Sequence, residues 1–149
     1  MAHLVTTHNR NLPLFFNIDA NVGKGCANSP EDVALVSFLL VKWAEHGTPV
    51  PQGVVQQVKV GGTYKEALQA LIDSLQRELK KVRPDIRLDG HVSKAVGNVH
   101  YRPDRSFMIC QANAQIGMRY SSEWPRLDKI PGCPGEVRAL VSRVVLVNV

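Results

Sequence analysis

The chain has 149 residues, of which 44% are hydrophobic and 21% are charged, a composition typical of one globular domain with a sizeable core. This composition excludes wholesale disorder, and no uninterrupted apolar run is long enough to span a bilayer. The net charge of +5 gives only weak attraction for anions, and no aromatic stacking pattern accompanies the basic residues. We therefore predict no specific nucleic-acid partner and no membrane partner.

The N-terminus has neither a basic start nor a following apolar stretch that ends in small residues. We predict no Sec-type signal peptide, so the protein is expected in the cytoplasm as synthesised, and work outside it would need a non-Sec export route. Cys26, Cys110 and Cys133 are odd in number and lack CxxC or CxxH spacing. They predict no disulfide framework and no zinc site, but two buried thiols that pack as small hydrophobes and one loop thiol.

The first 28 residues are predicted to form an arm, one apolar segment and a loop. Residues 1–13 are polar and end in proline, which predicts a loose arm. Residues 14–18 are apolar and form either a strand or a segment laid across the core. Residues 21–28 contain two glycines and two asparagines, which indicates a loop.

The first helix is predicted to begin at Pro30, which suits a first turn. Ser29 or Asn28 can cap it, and two acidic residues favour its positive end. Gly47 and Pro49 are expected to end it. Its apolar face at helical spacing consists of Val33, Val36, Leu39, Leu40 and Trp43.

The second long helix is predicted to follow a short strand within residues 54–60. Thr63 and Glu66 have the spacing of a capping box, in which each side chain bonds to the other's backbone. Pro84 ends the helix, because its ring disfavours helical geometry at the preceding residue. The expected apolar stripe consists of Leu68, Leu71, Ile72, Leu75, Leu79 and Val82.

The last 64 residues are predicted to contain a turn and two further helices. Residues 86–92 indicate two short extended pieces around an Asp-Gly turn. A third helix is capped by Ser106 and ends near Tyr120. A fourth begins at Pro134, and the β-branched tail 144–149 is expected to finish as a strand.

No template for catalysis, metal binding or a cofactor fits the sequence. The stretch 21–25 has glycines and a lysine, but it lacks the P-loop spacing and the following Ser or Thr. The five histidines never occur at HxH or HExxH spacing. His91 and His100, with Asp89 and Asp104 nearby, leave a metal or acid–base site open, although isolated loop histidines are usually only solvated. We therefore predict no catalytic residues, no metal and no cofactor.

Three motifs in succession resemble the bacterial peptidoglycan-binding-like domains. Residues 22–33, with the helix behind them, are similar to that family's glycine-rich turn and Asn-x-Pro-x-Asp-Val opening. Residues 58–68, leading to Gln76, are similar to its second turn and helix, and 88–92 resemble its Asp-Gly turn. The departures are Ser37 where the family has Gln, a Gly-Gly pair at the first Asp-Gly turn, and Leu75 where the family has Phe.

The resemblance implies a mainly α fold, a small helical bundle of peptidoglycan-binding-domain type with short β segments and a C-terminal helical elaboration. It implies an N-terminal arm (1–19), a core domain (20–98) and an extension packed on that core (99–149). The implied function is non-catalytic binding of cell-wall peptidoglycan, in which aromatic faces stack on sugars and polar side chains select them. Each candidate contact could equally be a core ring or a turn aspartate. The candidates, chosen at predicted loops and helix ends, are Tyr64, Asp89, Tyr101, Tyr120 and Trp124.

Two alternatives remain open at this point. The same fold could serve as a structural or protein-interaction accessory of a phage or a contractile secretion system, which the absent signal peptide and altered turns favour. It could also be a small cell-wall-active enzyme or toxin. The sequence does not predict the oligomeric state. The only material for such an enzyme is the polar set His100, Arg102, Asp104, Arg105 and Arg119.

Overall fold

The fold is mainly α, as the sequence predicts. The structure, a computed structural model, describes residues 1–45, 48–98 and 107–147, the last three by backbone alone. These residues form five α-helices, one 3₁₀ turn and two small antiparallel sheets. In chain order the elements are β1 (His3–Thr6), β2 (Leu14–Asn17), β3 (Val22–Gly23), α1 (Pro30–Ala44), α2 (Gln52–Gln56), α3 (Glu66–Val82), β4 (His91–Val92), α4 (Met108–Arg119) and α5 (Gly135–Val147).

Helix α1 lies at the centre of the molecule. From Asp32 to Ala44 every residue except Lys42 is buried, which is the pattern of a helix enclosed on all sides. It packs against α3, α4, α5 and β3. The Asp32 carboxylate accepts the backbone N–H groups of Asp19 and Ala20, each at 3.1 Å, and so fixes the chain that enters the helix. Ser29 occupies the N-cap position but makes no side-chain capping bond.

The N-terminal residues are packed into the fold, so the prediction of a loose arm is wrong. Strand β1 pairs with β2 in an antiparallel ladder that places Leu4 opposite Phe16. Ala2, Val5 and Leu12 are buried. These apolar residues are too sparse among polar neighbours to form a helical or strand period that the sequence would reveal.

The connection between α1 and α3 also differs from its prediction. The strand expected within 54–60 is absent, and residues 52–56 form the short helix α2 against α3. The capping box is wrong as well. Lys65 is the N-cap residue of α3, in an extended conformation and without a side-chain capping bond, and Thr63 lies outside the helix.

Helix α3 is confirmed from its stripe to its end before Pro84. Its buried apolar face consists of the predicted leucines and isoleucine, but Val82 is 77% exposed. The Lys80 ammonium donates to the backbone carbonyls of Pro84 at 2.9 Å and Ile86 at 2.8 Å. These bonds fold the chain back beneath the C-terminal end of α3, where cations are favoured.

The C-terminal third adds α4 and α5. Helix α4 matches the predicted third helix, with Phe107 at its N-cap, and Ser106 lies outside the described residues. The predicted loop at 124–134 contains a 3₁₀ turn, Leu127–Lys129. Helix α5 runs to Val147, so the strand predicted for the tail is wrong for residues 144–147.

The buried residues of the whole described chain form one hydrophobic cluster, from Ala2 to Val141. The division into an arm, a core domain and an extension therefore stays a prediction, and its boundaries run through shared packing. Cys110 and Cys133 are buried, Cys26 is half-buried, and all three are free thiols, as predicted. None of the helices described is long and apolar enough to cross a membrane.

A candidate ligand groove beside the Asp89–Gly90 turn

The predicted Asp-Gly turn precedes strand β4, which pairs with β3 and places Gly23 opposite His91. Gly90 has a φ of +71°, a conformation that glycine adopts without strain. A side chain at Gly23 would collide with the carbonyl oxygen of Gly90. The absence of a side chain at Gly23 thus allows the backbones of β3 and the turn to approach closely.

Two glutamines on one face of α3 hold this turn. The Gln76 amide donates to the Asp89 carboxylate at 3.1 Å and to the His91 carbonyl at 2.9 Å, and it accepts the Gly90 N–H at 2.9 Å. The Gln69 amide donates to the Gly90 carbonyl at 2.9 Å. Gln69 and Gln76 are seven residues apart, two helical turns, so both point from the same face.

Gln69 joins the turn to the loop after β3. Its side-chain oxygen accepts the Lys24 N–H at 2.7 Å and also the Tyr64 hydroxyl. The His91 ring nitrogen Nε2 lies 3.1 Å from the Lys24 carbonyl. A single network therefore links the first glycine-rich loop, α3 and the Asp-Gly turn.

A groove lies on each side of the turn, and Gln76 and Asp89 line both. The first, of about 280 Å³, lies between the turn and the start of α4. The second, of about 410 Å³, lies over α3 and includes Lys24 and Arg77. The first is lined in part by Asp85, Arg87, Asp89, His91, Ser93 and Phe107.

The ionisable groups near the turn influence one another. Burial, and then the Asp89 carboxylate, raise the pKa of the Cys26 thiol. Burial, and then the Asp73 carboxylate, raise the pKa of Tyr64. Both shifts favour the neutral forms of these groups, so the Cys26 thiolate, the nucleophilic form of the thiol, is less populated than in a free cysteine.

Among the predicted contacts that the structure describes, Tyr64 and Asp89 lie in this network and Tyr120 and Trp124 do not. Trp124 and Tyr120 instead lie together at the end of α4, where the Trp124 N–H donates to the Tyr120 carbonyl at 2.8 Å. The Trp124 ring meets Phe16 edge to face, with centroids 5.8 Å apart, so packing accounts for it. Tyr101 lies outside the described residues, and ligand contact by any of the five stays a prediction.

Several residues of the site were not predicted, among them Gln69, Gln76, Asp85, Arg87 and Phe107. One feature of the sequence could have indicated the two glutamines. They lie two helical turns apart, at the boundary between the polar and apolar faces of α3. Gln76 also lies inside a motif of the family resemblance. Arg87 and Phe107 gave no signal, because their meeting depends on where the turn and α4 pack.

The alternative chemistries weighed from the sequence find little support among the described residues. Gln69 occupies the Lys24 backbone N–H of the glycine-rich stretch, so that group is not offered to a phosphate. Among the described residues, no group of three or more His, Cys, Asp or Glu is arranged to hold a metal ion. Of the polar set suggested for an enzyme, Arg119 is exposed at the end of α4, and the other four lie outside the described residues.

Comparison with protein-family models, with curated proteins and with solved structures found no match.

Proposed function

We propose that the protein is a non-catalytic binding module for bacterial cell-wall peptidoglycan, built on a helical bundle of peptidoglycan-binding-domain type. The observation that carries the proposal is the groove beside the Asp89–Gly90 turn. It combines one aromatic ring, Phe107, with hydroxyl, amide and charged side chains, the composition that binds sugars and short peptides. The order of a glycine-rich loop, two helices and an Asp-Gly turn supports the same proposal.

The turn is fixed before a ligand arrives, which favours binding. Both described bonds to the Asp89 carboxylate go to Oδ1, leaving Oδ2 for a ligand hydroxyl or amide. Because Gln76 already orders this side chain and the turn behind it, a ligand pays little conformational entropy to use them. A solvated loop without a binding partner would not need a side chain ordered in this way.

Co-sedimentation with purified peptidoglycan sacculi, across a salt series, tests this function. We expect binding that persists at 1 M NaCl, where the Debye length is about 3 Å, because a shaped groove does not depend on long-range attraction. Arg87→Ala should weaken it, whereas Lys59→Ala, which removes the same charge from the exposed loop before α3, should not. Binding that vanishes at modest salt, equally for both variants, would reflect only the net charge and would refute the proposal.

A second candidate function is a protein-interaction component of a phage or contractile secretion assembly. One observation favours it: a largely apolar groove of about 420 Å³ between the N-terminal segment and α5. Leu4 and Leu140 line it, beside Met1, which is 67% exposed. Absence of sacculus binding at every salt concentration, together with a stable oligomer or protein complex, would favour this role.

A further inference from the structure

The smaller groove beside the turn carries unpaired charges of both signs. The carboxylates of Asp85 and Asp89 and the guanidinium of Arg87 all line it. None of the three takes part in an ion pair within the described residues. A neutral sugar needs hydrogen bonds but no counter-charge, whereas a ligand with an amine and a carboxylate gains from both signs at once.

The same groove has an apolar side. Buried Ile86 and the side chains of Phe107 and Met108 line it next to the charged residues. Its volume, about 280 Å³, lies just below the range for small-molecule sites, about 300 to 1,000 Å³, which suits a short ligand. A groove with charged groups beside a small apolar wall is suited to a short peptide whose side chains carry methyl or methylene groups.

The second groove continues this pattern across the turn. Lys24 and Arg77 supply cations there, and Asp73 supplies a carboxylate. The Lys24 ammonium has no partner among the described residues, whereas Asp73 already accepts a bond from Gln69. A ligand that extends past Asp89 therefore meets further charge of both signs rather than a neutral surface.

We propose that the peptide stem of peptidoglycan, with its free amine and free carboxylates, is what this groove binds, and that the glycan strand is not. This inference rests on the proposed function. Arg87 binds a stem carboxylate, Asp85 and Asp89 bind the amine, and the Phe107 wall contacts an alanine methyl group.

Calorimetric titration of the intact protein with two probes tests the inference. The probes are the stem tetrapeptide N-acetyl-L-Ala-γ-D-Glu-L-Lys-D-Ala, whose only free amine is that of lysine, and the N-acetylglucosamine tetramer. We expect the tetrapeptide to bind and the sugar not to bind. Arg87→Gln should weaken tetrapeptide binding about tenfold, the loss of one charge-assisted hydrogen bond. Acetylation of the lysine amine should weaken it similarly, and Lys59→Gln should leave it unchanged.

Two outcomes would overturn the inference while the proposed function stands, and a third would refute the function. If the protein binds sacculi and the sugar but not the tetrapeptide, the proposed function stands and the groove is assigned to the glycan. Tetrapeptide binding that is insensitive to Arg87→Gln would place the peptide elsewhere. If the protein binds neither sacculi nor the sugar nor the tetrapeptide, the proposed function itself is refuted. Circular dichroism of each variant, compared with the parent protein, shows that the fold is retained.

Discussion

Three asparagine side chains bond to backbone groups in the way that a neighbouring strand would. Each primary amide donates its NH₂ to the carbonyl of a residue and accepts the N–H of that same residue, as a paired strand would. Because the strands are only two to four residues long, these amides satisfy backbone groups that the sheets leave open. The pairs are Asn17 with Ala95, Asn28 with Gly23 and Asn113 with Phe16.

Asn113 gives the sharpest test of this role. It is fully buried and bonds the Phe16 N–H at 2.7 Å and the Phe16 carbonyl at 2.9 Å. Asn113→Ala leaves both groups buried without partners, at about 1 to 3 kcal/mol each. We expect the free energy of unfolding to fall by about 3 kcal/mol, measured by urea denaturation.

Asn11→Ala is the matched control, because Asn11 is exposed and its side chain makes no described bond. Its effect should stay within about 0.5 kcal/mol, the usual range for a surface substitution. An Asn113→Ala variant as stable as the control would mean that water replaces the amide and that the strand needs no such partner.

The cysteines are predicted to differ in reactivity because of burial. Cys133 is 7% exposed, and burial raises the pKa of its thiol to about 11. About one Cys133 thiol in a thousand is then ionised at pH 8. Half-buried Cys26 should react first with iodoacetamide, followed by intact mass and peptide mapping, and Cys26→Ser should remove the faster phase. Cys133 labelling at the rate of a free thiol would contradict the burial.

The same shift predicts a loss of stability at high pH. The folded pKa of Cys133 lies above its ordinary value of 9.0, so the folded state favours the protonated thiol. This contribution is fully present below pH 9 and is lost as the pH rises through about 11. We expect the denaturation midpoint of Cys133→Ala to change less between pH 9 and 11 than that of the parent protein. Cys26→Ala is measured for comparison.

At the scale of elements, strand β1 bonds to β2 along one edge, and its residues alternate between bonding β2 and facing away from it. Asn113 holds both backbone groups of Phe16, so these point away from β1. Leu4 is opposite Phe16, and its own N–H and carbonyl therefore point away from β2. Val5, the next residue, exchanges its hydrogen bonds with Phe15.

Proline substitutions test this alternation. Val5→Pro removes a ladder hydrogen bond and should cost about 3 kcal/mol or more, whereas Leu4→Pro removes an outward N–H, as edge strands tolerate, and a half-buried side chain whose share Leu4→Ala measures. Thermal unfolding of both variants measures the difference. Val5→Ala separates the loss of the buried side chain from the loss of the bond. Equal destabilisation by the two prolines would refute the register.

The elements differ in how far the sequence predicts them, for physical reasons. Helix α3 is predictable because five buried residues recur at helical spacing and Pro84 stops it. Helix α2 is not, because the β-branched residues of 54–60 favour a strand and only packing against α3 overrides that preference. The Asp-Gly turn is predictable from two residues. Its attachment to Gln69 and Gln76 is not, because their partners lie 13 to 21 residues away.

At the scale of the whole molecule, α1 makes the fold one cooperative unit. Helix α1 packs against α3 and β3 from the first two thirds of the chain, and against α4 and α5 from the last third. The boundary predicted at residues 98–99 therefore separates two sets of residues that bury the same helix. The buried amides also join the predicted segments, since Asn17 of the arm bonds Ala95 of the core and Asn113 of the extension bonds Phe16 of the arm.

A fragment of residues 20–98 should therefore fail to fold alone. It lacks residues 1–19 and 99–149, and with them at least six large, buried apolar side chains. Burial of such a side chain contributes about 1.5 to 3 kcal/mol, so the loss reaches the whole stability of an ordinary domain, about 5 to 15 kcal/mol. The missing side chains include Phe15, Phe16, Ile18, Ile109, Ile116 and Leu140.

Circular dichroism during urea unfolding decides between one unit and a separable core. The intact chain should unfold in a single transition, and the fragment should show weak helicity and no cooperative transition. A fragment of residues 1–144, which keeps all the side chains the structure describes, is the matched control and should unfold cooperatively. If residues 20–98 unfold cooperatively, α1 needs only α3 and β3, and the C-terminal helices are an added layer on an independent core.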